Sequence, residues 1–355
     1  MTTNERAEAV ARACHRSGLA WKPDREQLLG LVEAELGHAE ALDRFVPHGD
    51  LSSLASPLTP IVHILAGNSP DAAIQTLTRG LLVGARNQVK LPSGGIPEVD
   101  FFLTSLPQPL AELVDTTTDR TRLEDWLQDA AAVIAFGADQ TLWAIRAQLG
   151  DDQVFVPHGH RFSLAVIDAD PKGDAARLAA RDISTHDQRG CLSPHDIYVA
   201  PGLQPRSFAA QLARELADCP PPDKRSDDEL AEIDHLRRSY GFRASADTSV
   251  QIWQSEGNAD WTVVFEEESQ FAASPTCRFA FVKPLPTDLR AALPLVRDHL
   301  STIAIHPFTM ARAEQLTGLG APRLCALGRA QTPSPFWHHD GMQVLAPLVR
   351  WTDAG

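Results

Sequence analysis

With 355 residues, 43% of them hydrophobic and 22% charged, the chain has the composition of a globular protein long enough for two domains, not of a disordered one. A formal charge of −14 opposes phosphate backbones and anionic lipid, so neither nucleic acid nor a membrane is expected as the main partner, although a local cluster of cations could still hold a small anion. The opening MTTNERAEAVARACHRSGLA lacks the apolar core of a signal peptide and the longest apolar run, 130–136, is far too short to span a bilayer, which predicts a cytoplasmic protein.

Short apolar runs alternate with segments of helical period, the pattern of α/β folds with largely parallel sheets. IVHIL (61–65) and NQVKL (87–91) read as strands. Between them Ser69 can cap a helix, Pro70 suits its first position, Ile74, Leu77 and Leu81 recur on one face, and Gly84 can end it, which makes a βαβ unit. AAVIAF (131–136) is the next strand; it ends in Gly137, and Asp139 opens the helix DQTLWAIRAQL. Such a turn can offer backbone N–H groups to a phosphate, although every α/β fold needs turns of this kind. A boundary is expected near 157–161, followed by strands FSLAVI (162–167) and DIYVA (196–200). CPPPDKRSDDE (219–229) reads as a surface loop, and strands VQIW, WTVVF and RFAFV with a helix DLRAALPLVRDHL (288–300) continue the second half. No internal repeat or low-complexity tract interrupts this order. The cysteines at 14, 191, 219, 277 and 325 form no CxxC pair, so free thiols are expected and neither disulfides nor a structural zinc.

Four stretches carry residues suited to chemistry: HILAGNSPDAAIQTLTRGLLVGARNQVKLPSGG (63–95), IAFGADQT (134–141), HGHRFSLAVID (158–168) and QRGCLSPHDIYV (188–199). A thiolate is a strong nucleophile near neutral pH, and His186, Arg189 and His195 are cation candidates that could lower the pKa of Cys191; the alternative is an inert core cysteine. Asn68, at a strand end before a helix, could stabilise an oxyanion with its side-chain amide or could be an ordinary turn residue. Lys90 ends a strand, where open α/β sheets bind ligands, and no carboxylate follows in LPSGG to repel a 2′-phosphate; equally, it could be a solvated lysine.

Together the four stretches resemble the acyl-CoA reductases of the LuxC type, within the aldehyde dehydrogenase superfamily. The resemblance runs from about residue 60 to the end, because GRAQTPSPFWHHDGMQVLAPLVRW (328–351) is similar to that family's closing segment. It implies an aldehyde-dehydrogenase-like α/β fold: a Rossmann-like NADP(H)-binding domain over 1–160 with a short N-terminal region, a second α/β catalytic domain over 161–327, and a tail, 328–355, returning toward the cleft between them. Cys191 would be the nucleophile and Asn68 the oxyanion donor. Lys90 and Ser93 would meet the cofactor, with Lys90 on its ribose, and Gly137 and Thr141 would face its phosphates. The implied cofactor is NADPH and the implied reaction is reduction of an acyl thioester, on coenzyme A or a carrier, to an aldehyde through a thioacyl enzyme. An acyl-donating partner protein and an oligomer are open.

One departure from typical aldehyde dehydrogenases matters for the chemistry. Their general-base glutamate precedes a segment that here aligns with Gly159-His160, which puts Pro157 or His158 in its place. Hydrolysis of an acyl-enzyme would lack its base, while thiol exchange needs none of that kind. His158, His160, Arg161, Arg189 and His195 are candidates to assist. His158 and His160, two apart on a strand, could face one side and hold a metal, and His338-His339-Asp340 raises the same thought, but no third ligand is placed by spacing and no metal is expected. EEES (266–269) reads as a solvated edge from which a glutamate could reach the nicotinamide ribose. The competing readings are a cysteine acyltransferase or thioesterase without nicotinamide, and a non-catalytic acyl- or protein-binding homologue.

Overall fold

The structure is a computed structural model that describes residues 1–67 and 70–355, and its chain divides into two compact units. The first comprises Met1–His160 and Ser334–Gly355; the second is Arg161–Pro333.

The first unit opens with helices α1 (Thr3–Arg16) and α2 (Arg25–Leu36). Both start in a capping box, Thr2 with Glu5 and Asp24 with Gln27, so each satisfies two orphan N-terminal donors. Strands β1 (Val46–His48) and β2 (Leu51–Pro57) follow, then β3 (Ile61–Ile64), α3 (Pro70–Val83) and β4 (Asn87–Lys90). The βαβ unit read from the sequence is therefore present, and α3 stops where Gly84 takes φ +83, a left-handed position that glycine reaches without steric cost. The Ser69 cap lies outside the described residues. Helices α4 (Pro97–Thr104) and α5 (Gln108–Ala111) lead to β5 (Val114–Thr117), α6 (Arg120–Asp129), β6 (Ala132–Phe136), α7 (Asp139–Arg146) and β7 (Val154–His158). Five parallel strands order as β5-β4-β3-β6-β7. The chain thus winds outward from β3 in both directions, and the C-terminal edge between β3 and β6 is a topological switch point, where doubly wound sheets bind ligands. The central strands β3 and β6 are buried on both faces, with Ile61, Val62 and His63 fully so, while β4 and β5, reading NQVK and VDTT, carry polar residues. His63 is accommodated by Thr76 Oγ1 at 3.0 Å and Asn87 Oδ1 at 2.9 Å, and burial pushes its pKa down to about 4, so it is a neutral core histidine.

The second unit contains β8 (Phe162–Ile167), α8 (Ala175–Ser184), β9 (Pro194–Val199), α9 (Pro205–Ala217), α10 (Asp227–Ala246), β10 (Val250–Gln254), β11 (Thr262–Glu266), β12 (Phe279–Pro284), β13 (Leu300–His306), α11 (Met310–Leu316) and β14 (Arg323–Ala326). Its seven strands order as β10-β11-β12-β9-β8-β13-β14, all parallel except the β10 edge. The last strand of the chain, β15 (Val349–Ala354), belongs to the first unit, where it pairs antiparallel with β2.

Two sequence expectations change. Residues 288–300 form two short 3-10 turns, Leu289–Ala292 and Arg297–His299, instead of one helix, and Leu300 already starts β13. Pro294 is the reason: inside a helix its ring would collide with the preceding turn and a hydrogen bond would be lost. The expected loop 219–229 is shorter, because Ser226 and Glu229 form the capping box of α10.

Candidate active site

The turn that presents Cys191 follows α8. Thr185–Gln188 form a 3-10 turn in which His186, Asp187 and Gln188 take φ 53, 51 and 63. Left-handed backbone at a non-glycine residue costs on the order of 1 to 2 kcal/mol, so this is stored strain immediately upstream of the thiol. Gly190 and Ser193 close the next turn by a 3.0 Å backbone bond, and Ser163 Oγ donates to the Cys191 carbonyl at 2.6 Å. The Cys191 side of the turn is half-buried, between a closed core and open solvent.

The environment of Cys191 differs from that of most other cysteines. Burial pushes the Cys14 thiol up to about 12 and the Cys325 thiol up to about 11, and raises Cys277, so these three are disfavoured as thiolates. Arg323, a half-buried guanidinium on β14 that burial pushes down, is held up by the charges of Cys325, Asp182 and, after these, Cys191. A cation facing a thiol favours its ionised, nucleophilic form. The sequence nominated other cations. Arg189 is engaged by Glu229, Nε to Oε1 at 3.0 Å, with Asp187 Oδ2 at 3.9 Å from Nη1. His195, buried on β9, accepts the Ser274 N–H on Nδ1 at 2.9 Å, and its ring meets Phe162 edge-on. Arg161 donates to the Asp298 carbonyl at 3.0 Å. Cys191, His195 and Arg161 therefore gather at the N-terminal ends of β8 and β9. Arg323, on a strand at the far edge of the sheet, had no signal in local spacing.

The first unit carries the remaining candidates at its C-terminal sheet edge. Lys90 ends β4, and its pKa is lowered by burial and by the neighbouring Arg120 charge. Arg120, first residue of α6, thus adds a second cation near Lys90 that the sequence reading did not select. Ser93 and Thr141 are exposed. Gly137 donates its N–H to the His158 carbonyl at 3.2 Å; a Cβ there would meet only Thr141, at 3.7 Å and beyond. Neither a left-handed backbone nor packing within the chain requires glycine at 137. Asn68 lies outside the described residues.

His158 ends β7, so His160 falls beyond the strand and the two do not share a strand face. His158 Nδ1 lies 2.6 Å from Asp340 Oδ2, and its ring contacts Phe136 at 4.5 Å and His339 at 4.1 Å, which also meet each other at 5.8 Å, with Trp337 stacked on His339 at 4.5 Å. His158, His339 and Asp340 do come together, as a stacked, hydrogen-bonded group that fastens the C-terminal segment to the sheet. Arg79 of α3 lines the small space beside them, and burial pushes its pKa down to about 10 against the Glu35 and Asp340 charges.

The EEES segment is not wholly a solvated edge. Glu266 ends β11 buried, with Lys283 Nζ at 3.4 Å and Arg243 Nη1 at 2.8 Å, while Glu267 is exposed and pairs with Arg206 at 3.5 Å. The physical reason is Lys283, a fully buried ammonium on the adjacent β12 that also meets Asp196 at 3.3 Å and needs carboxylates around it.

Residues 3–351 match the acyl-CoA reductase (LuxC) family. The chain belongs to that family. It is accordingly an enzyme, an oxidoreductase of the acyl-CoA reductase type, and the family match extends well upstream of residue 60, taking in α1 and α2. Among its relatives, the long-chain acyl-protein thioester reductase of Aliivibrio fischeri is 25% identical over 345 residues, covering 92% of this chain and 70% of the relative. Long-chain acyl-protein thioester reductase 2 of Photobacterium leiognathi is 26% identical, with the same coverage. An NAD-dependent benzaldehyde dehydrogenase from Corynebacterium glutamicum superposes with a TM-score of 0.66 at 14% identity, covering 99% of this chain and 86% of that one, so the fold is that of the aldehyde dehydrogenases. Among the described residues, no helix is long and apolar enough to cross a membrane.

Proposed function

We propose that this acyl-CoA reductase family member converts an acyl thioester to an aldehyde, with Cys191 as the point of covalent attachment and NADPH as the reductant. One observation carries the reading: the Cys191 thiol is half-buried on a turn that directly follows the strained run 186–188, whereas burial disfavours ionisation of Cys14, Cys277 and Cys325.

In the first step the Cys191 thiolate forms a bond to the acyl carbon, and the carbonyl electron pair becomes an oxyanion. The Asn68 amide and the Cys191 N–H are the proposed donors to it; a well-placed donor of this kind contributes roughly 3 to 4 kcal/mol. The oxyanion then re-forms the carbonyl, the bond to the donor sulfur breaks, and the donor leaves as a thiolate. A bound nicotinamide dinucleotide supplies hydride to the thioacyl carbon. In the final step the alkoxide pair re-forms a carbonyl, Cys191 leaves as a thiolate facing Arg323, and the aldehyde is released. Pro157 and His158, where a hydrolytic glutamate would stand, favour transfer over loss of the acyl group to water.

Lys90 and Arg120 supply two cations for a 2′-phosphate against the one carboxylate, Asp119, that also acts on Lys90, which supports NADPH. Ser93, Gly137 and Thr141 complete the proposed cofactor edge, while His158, His160, Arg161, Arg189 and His195 are proposed to assist binding and proton transfer. The names of the relatives support a long-chain acyl group delivered by an acylated protein, and the family description supports delivery by coenzyme A.

Intact-mass measurement after mixing with acyl-CoA in the absence of NADPH tests the reading. The wild type is expected to gain one acyl group on residue 191, Cys191→Ser none, and addition of NADPH is expected to discharge it as aldehyde. Acylation at another residue, or none with either donor class over several chain lengths, overturns it.

A further inference from the structure

Two runs of three consecutive non-glycine residues in the second unit hold left-handed backbone: His186, Asp187 and Gln188, described above, and Thr276, Cys277 and Arg278 at φ 66, 56 and 60. One such residue is uncommon; a triplet persists only where its surroundings over-determine it. Here each run holds the other. Arg278 directs Nε and Nη2 at Asp187 Oδ1, at 2.7 and 2.6 Å, and donates Nη1 to the Pro220 carbonyl at 2.7 Å. The second oxygen of Asp187 accepts the Asp223 N–H at 2.7 Å. Ser274 Oγ, which donates to the Phe279 carbonyl at 2.5 Å and accepts the Thr276 N–H at 2.9 Å, lies 3.4 Å from Gln188 Oε1, and Gln188 Nε2 donates to the Pro194 carbonyl at 2.9 Å, across the turn that contains Cys191. Asp187 and Arg278 are 2% and 5% exposed.

We infer that Arg278 and Asp187 are positioning residues for Cys191: their buried pair imposes the left-handed run 186–188 and so fixes the direction in which the following turn presents the thiol. The inference rests on the reading of Cys191 as nucleophile and deepens it. A buried ion pair is an expensive way to join two segments, since apolar side chains of similar volume often hold them as well or better. What the charged pair contributes that apolar packing does not is a fixed direction: two guanidinium N–H groups converge on one carboxylate oxygen while the other oxygen is held by Asp223 N–H. That geometry lies between two strained runs, one of which ends three positions before the sulfur.

Two variants, Arg278→Met and Arg278→Lys, test the inference in the full chain. The reading is the rate of iodoacetamide labelling at Cys191 relative to Cys219 in the same molecule, with the rate of acylation at 191 by acyl-CoA and the thermal midpoint alongside. Arg278→Met is expected to fold but to lower the Cys191:Cys219 ratio and the acylation rate at least tenfold, with partial rescue in Arg278→Lys. A purely structural role would lower the midpoint and leave the ratio unchanged, and a folded Arg278→Met whose ratio and acylation rate stay within twofold of wild type overturns the inference. Should Arg278→Met not fold, Arg278→Lys decides, because it keeps the charge but not the two converging N–H groups: a ratio lowered more than twofold upholds the inference and an unchanged ratio overturns it. If wild type is not acylated at 191, the nucleophile reading fails by itself, while the labelling ratio still decides whether the pair positions the thiol.

Discussion

Lys283→Met is the sharpest probe of the interior of the second unit. It removes the cation that lies 3.3 Å from Asp196 Oδ1 and 3.4 Å from Glu266 Oε2, with the Lys283 and Asp196 side chains 2% and 0% exposed. At an effective dielectric near 20, each contact at this distance is worth about 5 kcal/mol of attraction, much of it offset by the desolvation of the charges. Glu266 keeps Arg243 in the variant, but Asp196 keeps no cation among these partners, so the net loss is about 3 to 5 kcal/mol, the usual cost of stranding a buried charge. For a unit of this size that corresponds to a fall in Tm of roughly 6 to 20 °C. The pH dependence has a definite sign. Burial pushes the Asp196 pKa from 3.8 up to about 7, with Lys283 the largest opposing influence. A raised carboxylate pKa contributes stability that is fully present below about pH 4 and lost as pH rises to the folded value. In the wild type that loss is complete near pH 7; in the variant the folded pKa is higher still and the loss continues, so the deficit should grow by about 1 kcal/mol between pH 7 and 8. Thermal melts at pH 6, 7 and 8 measure this. A deficit that shrinks with rising pH, or a Tm within 2 °C of wild type at pH 8 (against the roughly 6 °C minimum), refutes the account.

Other predictions concern single contacts. Gly80→Ala places a Cβ 1.9 Å from Asn87 Oδ1, which must move and release His63 Nε2; a loss of about 2 to 4 kcal/mol is expected in denaturant melts, and an unchanged midpoint would show that the contact yields freely. Glu35→Ala removes the acceptor of three successive N–H groups, Val344, Leu345 and Ala346, so hydrogen exchange should accelerate at 344–346 while β9, in the other unit, keeps its protection. Burial pushes Asp182 up to about 6 against its bonds from Gly328 and Ala330, so its contribution of about 3 kcal/mol is present below about pH 4 and lost by about pH 6. Asp182→Asn should therefore flatten the stability profile between pH 4 and 6.5, and a profile parallel to wild type would exclude this titration.

The strands at 61, 131, 162 and 196 were legible because a parallel strand covered on both faces is apolar at nearly every position, whereas β4, NQVK, is mostly polar. The edge elements were not: β2 reads LSSLASP, half polar because it lies in a small antiparallel sheet, and nothing near it in sequence points to β15 as its partner. Residues 288–300 show the opposite failure, in which a helical spacing of leucines outweighed the proline among them. At the site, the sequence could propose Cys191 and Gly137 because a reactive thiol and a glycine turn have local signatures. Arg323 beside the thiol, Asp340 on His158 and Arg120 beside Lys90 are joined only by folding, and spacing along the chain carries no trace of such pairs. The Ser226–Glu229 capping box, by contrast, could have been read and was hidden by the prolines before it.

The second unit is an insertion in the first: residues 161–333 intervene between β7 and the segment that supplies Asp340 and β15. During synthesis the N-terminal half emerges first yet remains unfinished until the ribosome has made everything else, with β2 lacking a neighbour, Glu35 without its three amides and His158 without its carboxylate. A message truncated anywhere between codons 161 and 333 would thus yield a first unit with an open flank, however complete its own strands.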